Sequence, residues 1–313
     1  TFLKDAVCTS LLCKNVKMLV LCYSLCYNTE KQKQRNDMKT YFTCPVCGKP
    51  LEQTEKSFVC ADRHTFDTAA EGYVNLAPPR KDADRSGDAA DSCKARRRFL
   101  ETGAYEPLAN ALCEAFASFG TLSPGDLIVD AGCGEGYYAR FVKNRFPQAE
   151  VYGLDLAKSA VKLAAKAEKN KDMSAKSHFA VAGIFDLPFA DESAAAVLSV
   201  FAPVADQENR RVLKPGGLLA VACPGRQHLF GIKERLYDTA LENEEKTPFY
   251  EGFSLVAEKH VCYEMTLSGA QAADLFAMTP YFWRSTAQVR EKSANLGQTV
   301  TKADFLVKIY RKE

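Results

Sequence analysis

Cys44-Pro45-Val46-Cys47 sets two thiols three positions apart at a tight turn, and Cys60 and His64 follow after twelve intervening residues, so the segment reads C-x2-C-x12-C-x3-H. Thiolates and imidazole suit zinc, and two such pairs close a tetrahedron with no position left open. The site is therefore expected to be structural, with Cys44, Cys47, Cys60 and His64 as ligands and metal binding supplying folding energy to a segment too short for its own core. Ordinary buried cysteines beside a surface histidine would leave the paired spacing unexplained.

The other nine cysteines fall into two groups. Cys8, Cys13, Cys22 and Cys26 lie in residues 1–37, whereas Cys93, Cys113, Cys133, Cys223 and Cys262 are scattered. Scattered cysteines in a chain of 313 residues point to a reducing compartment, the cytoplasm. The apolar run at 18–27 is ten residues, about half of a membrane span, and Cys22-Tyr23-Ser24-Leu25-Cys26-Tyr27 makes a poor signal-peptide cleavage site. No membrane association is expected. Met38 immediately precedes the metal motif, so residues 1–37 are expected to be an upstream extension or poorly ordered. The formal net charge of +2 is too small for a nonspecific grip on duplex nucleic acid. Any such contact must come from a local patch or a folded module.

From about residue 124 the pattern changes to alternating strands and helices, which implies a mainly parallel sheet with both faces covered. Leu127-Ile128-Val129-Asp130 is a short strand running into Ala131-Gly132-Cys133-Gly134-Glu135-Gly136, and a helical pattern occupies 137–146. A glycine turn before a helix lets a ligand approach the backbone and offers it free N–H groups. The glycines read G-x-G-x-G, with Tyr137 where a dinucleotide fingerprint needs glycine, and no Gly-Lys-Ser/Thr follows. That weakens NAD or FAD and excludes a phosphate loop. The next strand, 150–155, ends at Asp155, about twenty residues past the turn, where a carboxylate can accept both ribose hydroxyls. Further helices are expected at 157–169, 207–213, 225–237 and 269–278, with strands near 177–182, 195–201, 218–223, 255–263 and 304–310. Lys214-Pro215-Gly216-Gly217 reads as a turn.

Asp130–Gly136, Asp155, Leu187-Pro188-Phe189 and Leu213-Lys214-Pro215-Gly216-Gly217 together resemble the class I S-adenosylmethionine-dependent methyltransferases, in that family's order. The Cys44–His64 module, Phe66-Asp67, Glu71-Gly72-Tyr73-Val74-Asn75-Leu76, Ala95-Arg96-Arg97-Arg98-Phe99-Leu100 and Cys133-Gly134-Glu135-Gly136-Tyr137-Tyr138 narrow this. From Met38 onward the chain is similar to the RlmA family of 23S rRNA guanine-N1 methyltransferases. The resemblance implies an α/β fold, a Rossmann-like class I methyltransferase sheet with a small N-terminal zinc-binding module. It implies S-adenosylmethionine as cofactor, bound by Tyr105, the turn residues Asp130, Gly132, Gly134, Glu135 and Gly136, Asp155 at the ribose, and His228. It also implies 23S ribosomal RNA as partner; a homodimer is carried as a further expectation. One departure stands out: Gly183 occupies the position where relatives often carry an adenine-binding carboxylate, four residues before Leu-Pro-Phe.

The expected partition is an extension at 1–37, a zinc-binding RNA-recognition module at 38–80, a linker with helices at 81–123 and the methyltransferase domain at 124–313. Lys94, Arg96, Arg97 and Arg98 are candidate phosphate contacts, since Arg binds phosphate bidentately; a solvated helix face is the plainer alternative. Phe201-Ala202-Pro203-Val204 reads equally as a target-base loop or an ordinary strand exit. No residue stands out as a general base. A small-molecule methyltransferase would share the sheet motifs but has little use for the zinc module. A noncatalytic zinc and RNA-binding protein would not require the glycine turn with Asp155.

Overall fold

The computed structural model describes residues 39–78, 90–245 and 247–313. The expectations for residues 1–37 lie outside the described residues.

A four-stranded antiparallel ribbon comes first: β1 (Lys39–Thr43), β2 (Pro50–Gln53), β3 (Ser57–Cys60) and β4 (Thr65–Asp67) pair in sequence order. The main sheet has eight strands. Five parallel pairings join β5 (Val74–Asn75), β8 (His178–Val181), β7 (Glu150–Asp155), β6 (Leu127–Ala131), β9 (Ala194–Val200) and β10 (Leu213–Pro224) side by side. Antiparallel β12 (Thr299–Lys312) and β11 (Phe253–Leu267) then complete that edge. The α/β class expected from the motifs is observed. Every residue of β6 is buried, as a central parallel strand covered on both faces must be.

The sheet separates two cores. One face, through Ile128, Val151 and Leu198, packs against α1 (Ala90–Leu100), α2 (Glu106–Phe119), α3 (Tyr137–Arg145), α4 (Lys158–Glu168), α6 (Phe230–Leu236) and α7 (Gly269–Ala277). The other face, through Leu127, Val129 and Leu154, packs against α5 (Asp206–Val212) and the ribbon itself. Phe42 of β1 stacks on Phe189 at 5.6 Å between ring centroids and meets the edge of Tyr152 at 4.8 Å. The Thr43 N–H donates to Pro188 O at 2.8 Å, and the Tyr41 N–H donates to the Tyr152 hydroxyl at 3.3 Å. Leu187-Pro188-Phe189 is thus the ribbon's docking ledge.

Several boundaries differ from the sequence reading. β5 falls within 38–80 yet pairs with β8, so the large sheet draws on residues well ahead of 124. The expected 225–237 helix contracts to α6, because Asp304 holds the backbone of Gly225 and Gln227 in a separate hydrogen-bonded turn. The Lys214–Gly217 turn is a register break inside β10, with Gly216 at φ +75°. Two short helices that periodicity did not suggest, α8 (Pro280–Arg284) and α9 (Ala287–Ala294), separate α7 from β12. No described helix is long and apolar enough to cross a membrane.

Candidate cofactor pocket and metal centre

The zinc ligands expected from spacing converge. Cys44 and Cys60 Sγ lie 3.5 and 3.3 Å from His64 Nδ1, and Cys47 Sγ lies 3.7 Å from Cys60 Sγ. Ligands at the usual zinc distances form tetrahedral edges of about 3.8 Å between sulfurs and about 3.5 Å between sulfur and nitrogen, so the donor set fits one zinc ion. Two turns build it. Gly48 at φ +71° closes the first, with its N–H donating to Cys44 O, and Arg63 at φ +65° takes the equivalent place in the second, donating to Cys60 O. A Lys49–Asp62 ion pair at 2.5 Å bridges the turns.

At the carboxyl end of β6, Gly132, Gly134 and Gly136 all have positive φ. A Cβ on Gly132 would sit 2.7 Å from Ala202 Cβ, and one on Gly136 would sit 2.8 Å from both Ala164 and Phe179. Side chains there would close the turn. Asp155, at the end of β7, is held from two sides: its Oδ2 accepts the Gly134 N–H at 2.9 Å and its Oδ1 the Ala157 N–H at 2.7 Å.

Two other carboxylates beside the turn are not fully satisfied. Asp130 is buried with no hydrogen-bond partner for Oδ2, and burial together with the Asp155 charge pushes its pKa up to about 7. Glu135 is buried with Oε1 unpartnered, while its Oε2 pairs with Arg140 at 3.1 Å. Unpaired buried acceptors beside an open glycine turn fit a polar ligand.

Tyr105, ahead of α2, and His228, ahead of α6, meet at the same end of the sheet, with Tyr105 Oη 3.3 Å from His228 Nε2. The Asp304 N–H donates to His228 Nδ1, which places the single ring proton on Nε2 and makes it the donor to Tyr105. The tyrosine's own O–H is then left to donate. Phe201, at the exit of β9, holds φ +54° and lies stacked near His228 at 6.1 Å.

The arginines of α1 all make contacts within the chain. Arg98 pairs bidentately with Asp274 of α7, and Arg97 binds Glu101 at 2.7 Å and Leu163 O at 3.2 Å. Arg96 donates to Met278 O at 3.2 Å, and its Nη1 lies 3.3 Å from where a Cβ on Gly134 would stand. The segment read as a basic patch therefore also roofs the glycine turn. Gly183 supplies no side chain to the pocket and Asp186 is exposed. Sequence reasoning missed Asp304, Arg140 and the inward course of Arg96: Asp304 and Arg96 act through contacts to distant segments, and Arg140 reaches back from α3 to Glu135 from a position that no motif marks.

A family model described as RlmA, N-terminal, a zinc ribbon, matches residues 42–83, and one described as a methyltransferase domain matches residues 128–217. A curated 23S rRNA (guanine(748)-N(1))-methyltransferase of Streptomyces fradiae is 36% identical over 64% of this chain and 70% of its own. A putative 23S rRNA (guanine-N(1)-)-methyltransferase of Micromonospora griseorubida is 32% identical over 85% of this chain and 95% of its own. The Bacillus subtilis protein YxjB, described in the same words, is 31% identical over 77% and 86%. The chain belongs to the 23S rRNA (guanine-N1)-methyltransferase family. As a member of that family it is an S-adenosylmethionine-dependent methyltransferase with a zinc ribbon.

Proposed function

We propose that this protein methylates N1 of a guanine in a 23S rRNA hairpin. S-adenosylmethionine held at the glycine turn would supply an electrophilic methyl on its sulfonium; in-line attack by guanine N1 would form the N–CH3 bond as the S–CH3 bond breaks to release S-adenosylhomocysteine, the N1 proton passing to water. Positioning the nitrogen is then the protein's main task. In this reading Asp155, held beside the turn at the end of β7, accepts from the ribose hydroxyls, and Gly132, Gly134 and Gly136 admit the cofactor to the backbone. Tyr105, oriented by His228, donates its O–H to it; Glu135 and Asp130 supply acceptors beside the turn.

The zinc ribbon and the outward-facing Arg98 of α1 serve RNA docking, with guanine unstacked from a loop. One observation carries the reading: the nucleoside pocket and the ribbon are packed as one body, with Phe42 stacked on Phe189. A small-molecule methyltransferase has no need of that joint, and a noncatalytic RNA-binding module has no need of the pocket. The reading places the reaction in the cytoplasm, where ribosomal RNA is, and includes a homodimer that light scattering can test.

N1 methylation blocks the Watson–Crick edge of guanine. Incubating the protein with labelled S-adenosylmethionine and 23S rRNA from a strain lacking the gene should transfer label and create one reverse-transcriptase stop at a guanine. Label in small molecules only, or no stop, would overturn the assignment.

A further inference from the structure

Outside the ribbon, one other group of metal-ligating side chains comes together among the described residues. His260 and Cys262 lie two apart on β11, so their side chains share a face, and Asp304 of β12 is directly opposite Cys262 in register. The ligand atoms of the three lie within 4.8 Å of one another. We propose that His260, Cys262 and Asp304 form a second, solvent-facing site for a divalent transition metal, with zinc as the natural occupant.

The donor set selects the ion class: one imidazole nitrogen, one thiolate and one carboxylate suit zinc, cobalt or nickel and are poorly matched to calcium or magnesium. The carboxylate is built into the fold. Asp304 is 4% exposed, its Oδ2 accepts the Gln227 N–H at 2.7 Å, and its Oδ1 already meets His260 Nε2 at 2.5 Å. His260 is 56% exposed and Cys262 is an exposed free thiol, so both can move and the fourth position opens to water. Donors sharing one zinc stand about 3.3–3.8 Å apart. His260 need swing outward by only about 1 Å from its hydrogen bond to admit the ion between its Nε2 and the carboxylate.

The proton balance is simple. Cys262 releases its thiol proton, neutral His260 exchanges its single ring proton from Nε2 to Nδ1 through solvent so that Nε2 can ligate, and the ion with one thiolate and one carboxylate is neutral overall. This makes the site distinct in kind from the ribbon centre, which is closed by four protein ligands.

The test uses the full chain without an affinity tag, titrated with zinc and, in parallel, with cobalt after the ribbon has been filled. Wild type should take up two equivalents, the second with a near-ultraviolet thiolate-to-cobalt absorption. His260→Ala and Cys262→Ser, both at exposed positions, should each retain the first equivalent and lose the second. Saturation of the wild type at one equivalent would overturn the proposal, as would a second equivalent that survives in both variants.

Discussion

His228 donates its Nε2 proton to the Tyr105 hydroxyl across 3.3 Å, although the two residues are 123 positions apart in sequence. The direction is fixed by the Asp304 N–H on the other ring nitrogen. Tyr105→Phe keeps the aromatic contacts to Phe99 and Phe305 but removes the hydroxyl and leaves a buried imidazole N–H unpaired. The expected outcome is a loss of about 1–3 kcal/mol in stability and a roughly 5–30-fold weaker grip on S-adenosylmethionine. Chemical denaturation reads the first and calorimetric titration the second; unchanged affinity would remove Tyr105 from the pocket.

Burial lowers the His228 pKa to about 3, with the neighbouring Asp304 acting in the opposite direction. The unfolded chain, with an ordinary histidine, binds the extra proton more readily than the folded one. Stability from this group is therefore complete above about pH 6.5 and lost as pH falls toward 3. His228→Gln can still accept from Asp304 and donate to Tyr105. It should shrink the stability difference between pH 7 and pH 5 by about 2 kcal/mol, measured by urea denaturation at the two pH values.

Asp155→Ala removes the acceptor for two backbone N–H groups as well as for a ribose. Cofactor affinity should fall by at least the 1.5–3 kcal/mol of about one charge-assisted hydrogen bond, roughly 10–150-fold. The Gly134 amide should also exchange its hydrogen faster. Wild-type affinity in a folded variant would refute the ribose assignment.

The parts of this site legible in the sequence are those whose chemistry is local. Cys44 to His64 spans one ribbon, and Gly132, Gly134, Gly136 and Asp155 lie on two neighbouring strands and their exits, so spacing alone reports their geometry. Tyr105 and His228 came only through family resemblance, because nothing near either residue signals the other. β5 is two residues long, below any periodicity, and exists because the edge of β8 offers it a partner. α9 buries only Ser293, so no apolar stripe announces it. The pairing of β11 with β12 is a nonlocal choice that places Asp304 behind His228, and no motif encodes it.

Zinc loss should be felt beyond the ribbon, because the ribbon covers one face of the sheet. Phe42 is 2% exposed against Phe189 and Tyr152. Phe42→Ala should destabilise the whole chain by about 3–5 kcal/mol while the ribbon zinc stays bound. Cys44→Ser should lose that zinc and expose the same aromatic surface. Elemental analysis paired with thermal melts separates them; an unchanged melting temperature in Phe42→Ala would mean that the ribbon is not part of the cooperative fold.

Two of the three arginines of α1 should divide between two tasks. Arg98 has a side chain 60% exposed and an exchangeable partner in Asp274, so it is the one best placed to trade a carboxylate for a phosphate. Arg98→Ala should cost no more than about 1 kcal/mol of stability, leave cofactor affinity unchanged, and flatten the log–log salt dependence of RNA binding by about 0.7–0.9. Arg96 faces inward over Gly134 and is tied to Met278 O. Arg96→Ala should weaken S-adenosylmethionine several-fold without changing the salt slope, because the cation it removes stands over Gly134 of the turn. Filter binding of a 23S rRNA hairpin across a salt series, beside cofactor titration of both variants, gives the four numbers needed. An unchanged slope in Arg98→Ala would reduce that residue to a pin between α1 and α7. Loss of RNA affinity in Arg96→Ala only when cofactor is present would instead make RNA docking and cofactor capture a single coupled event at the roof of the turn.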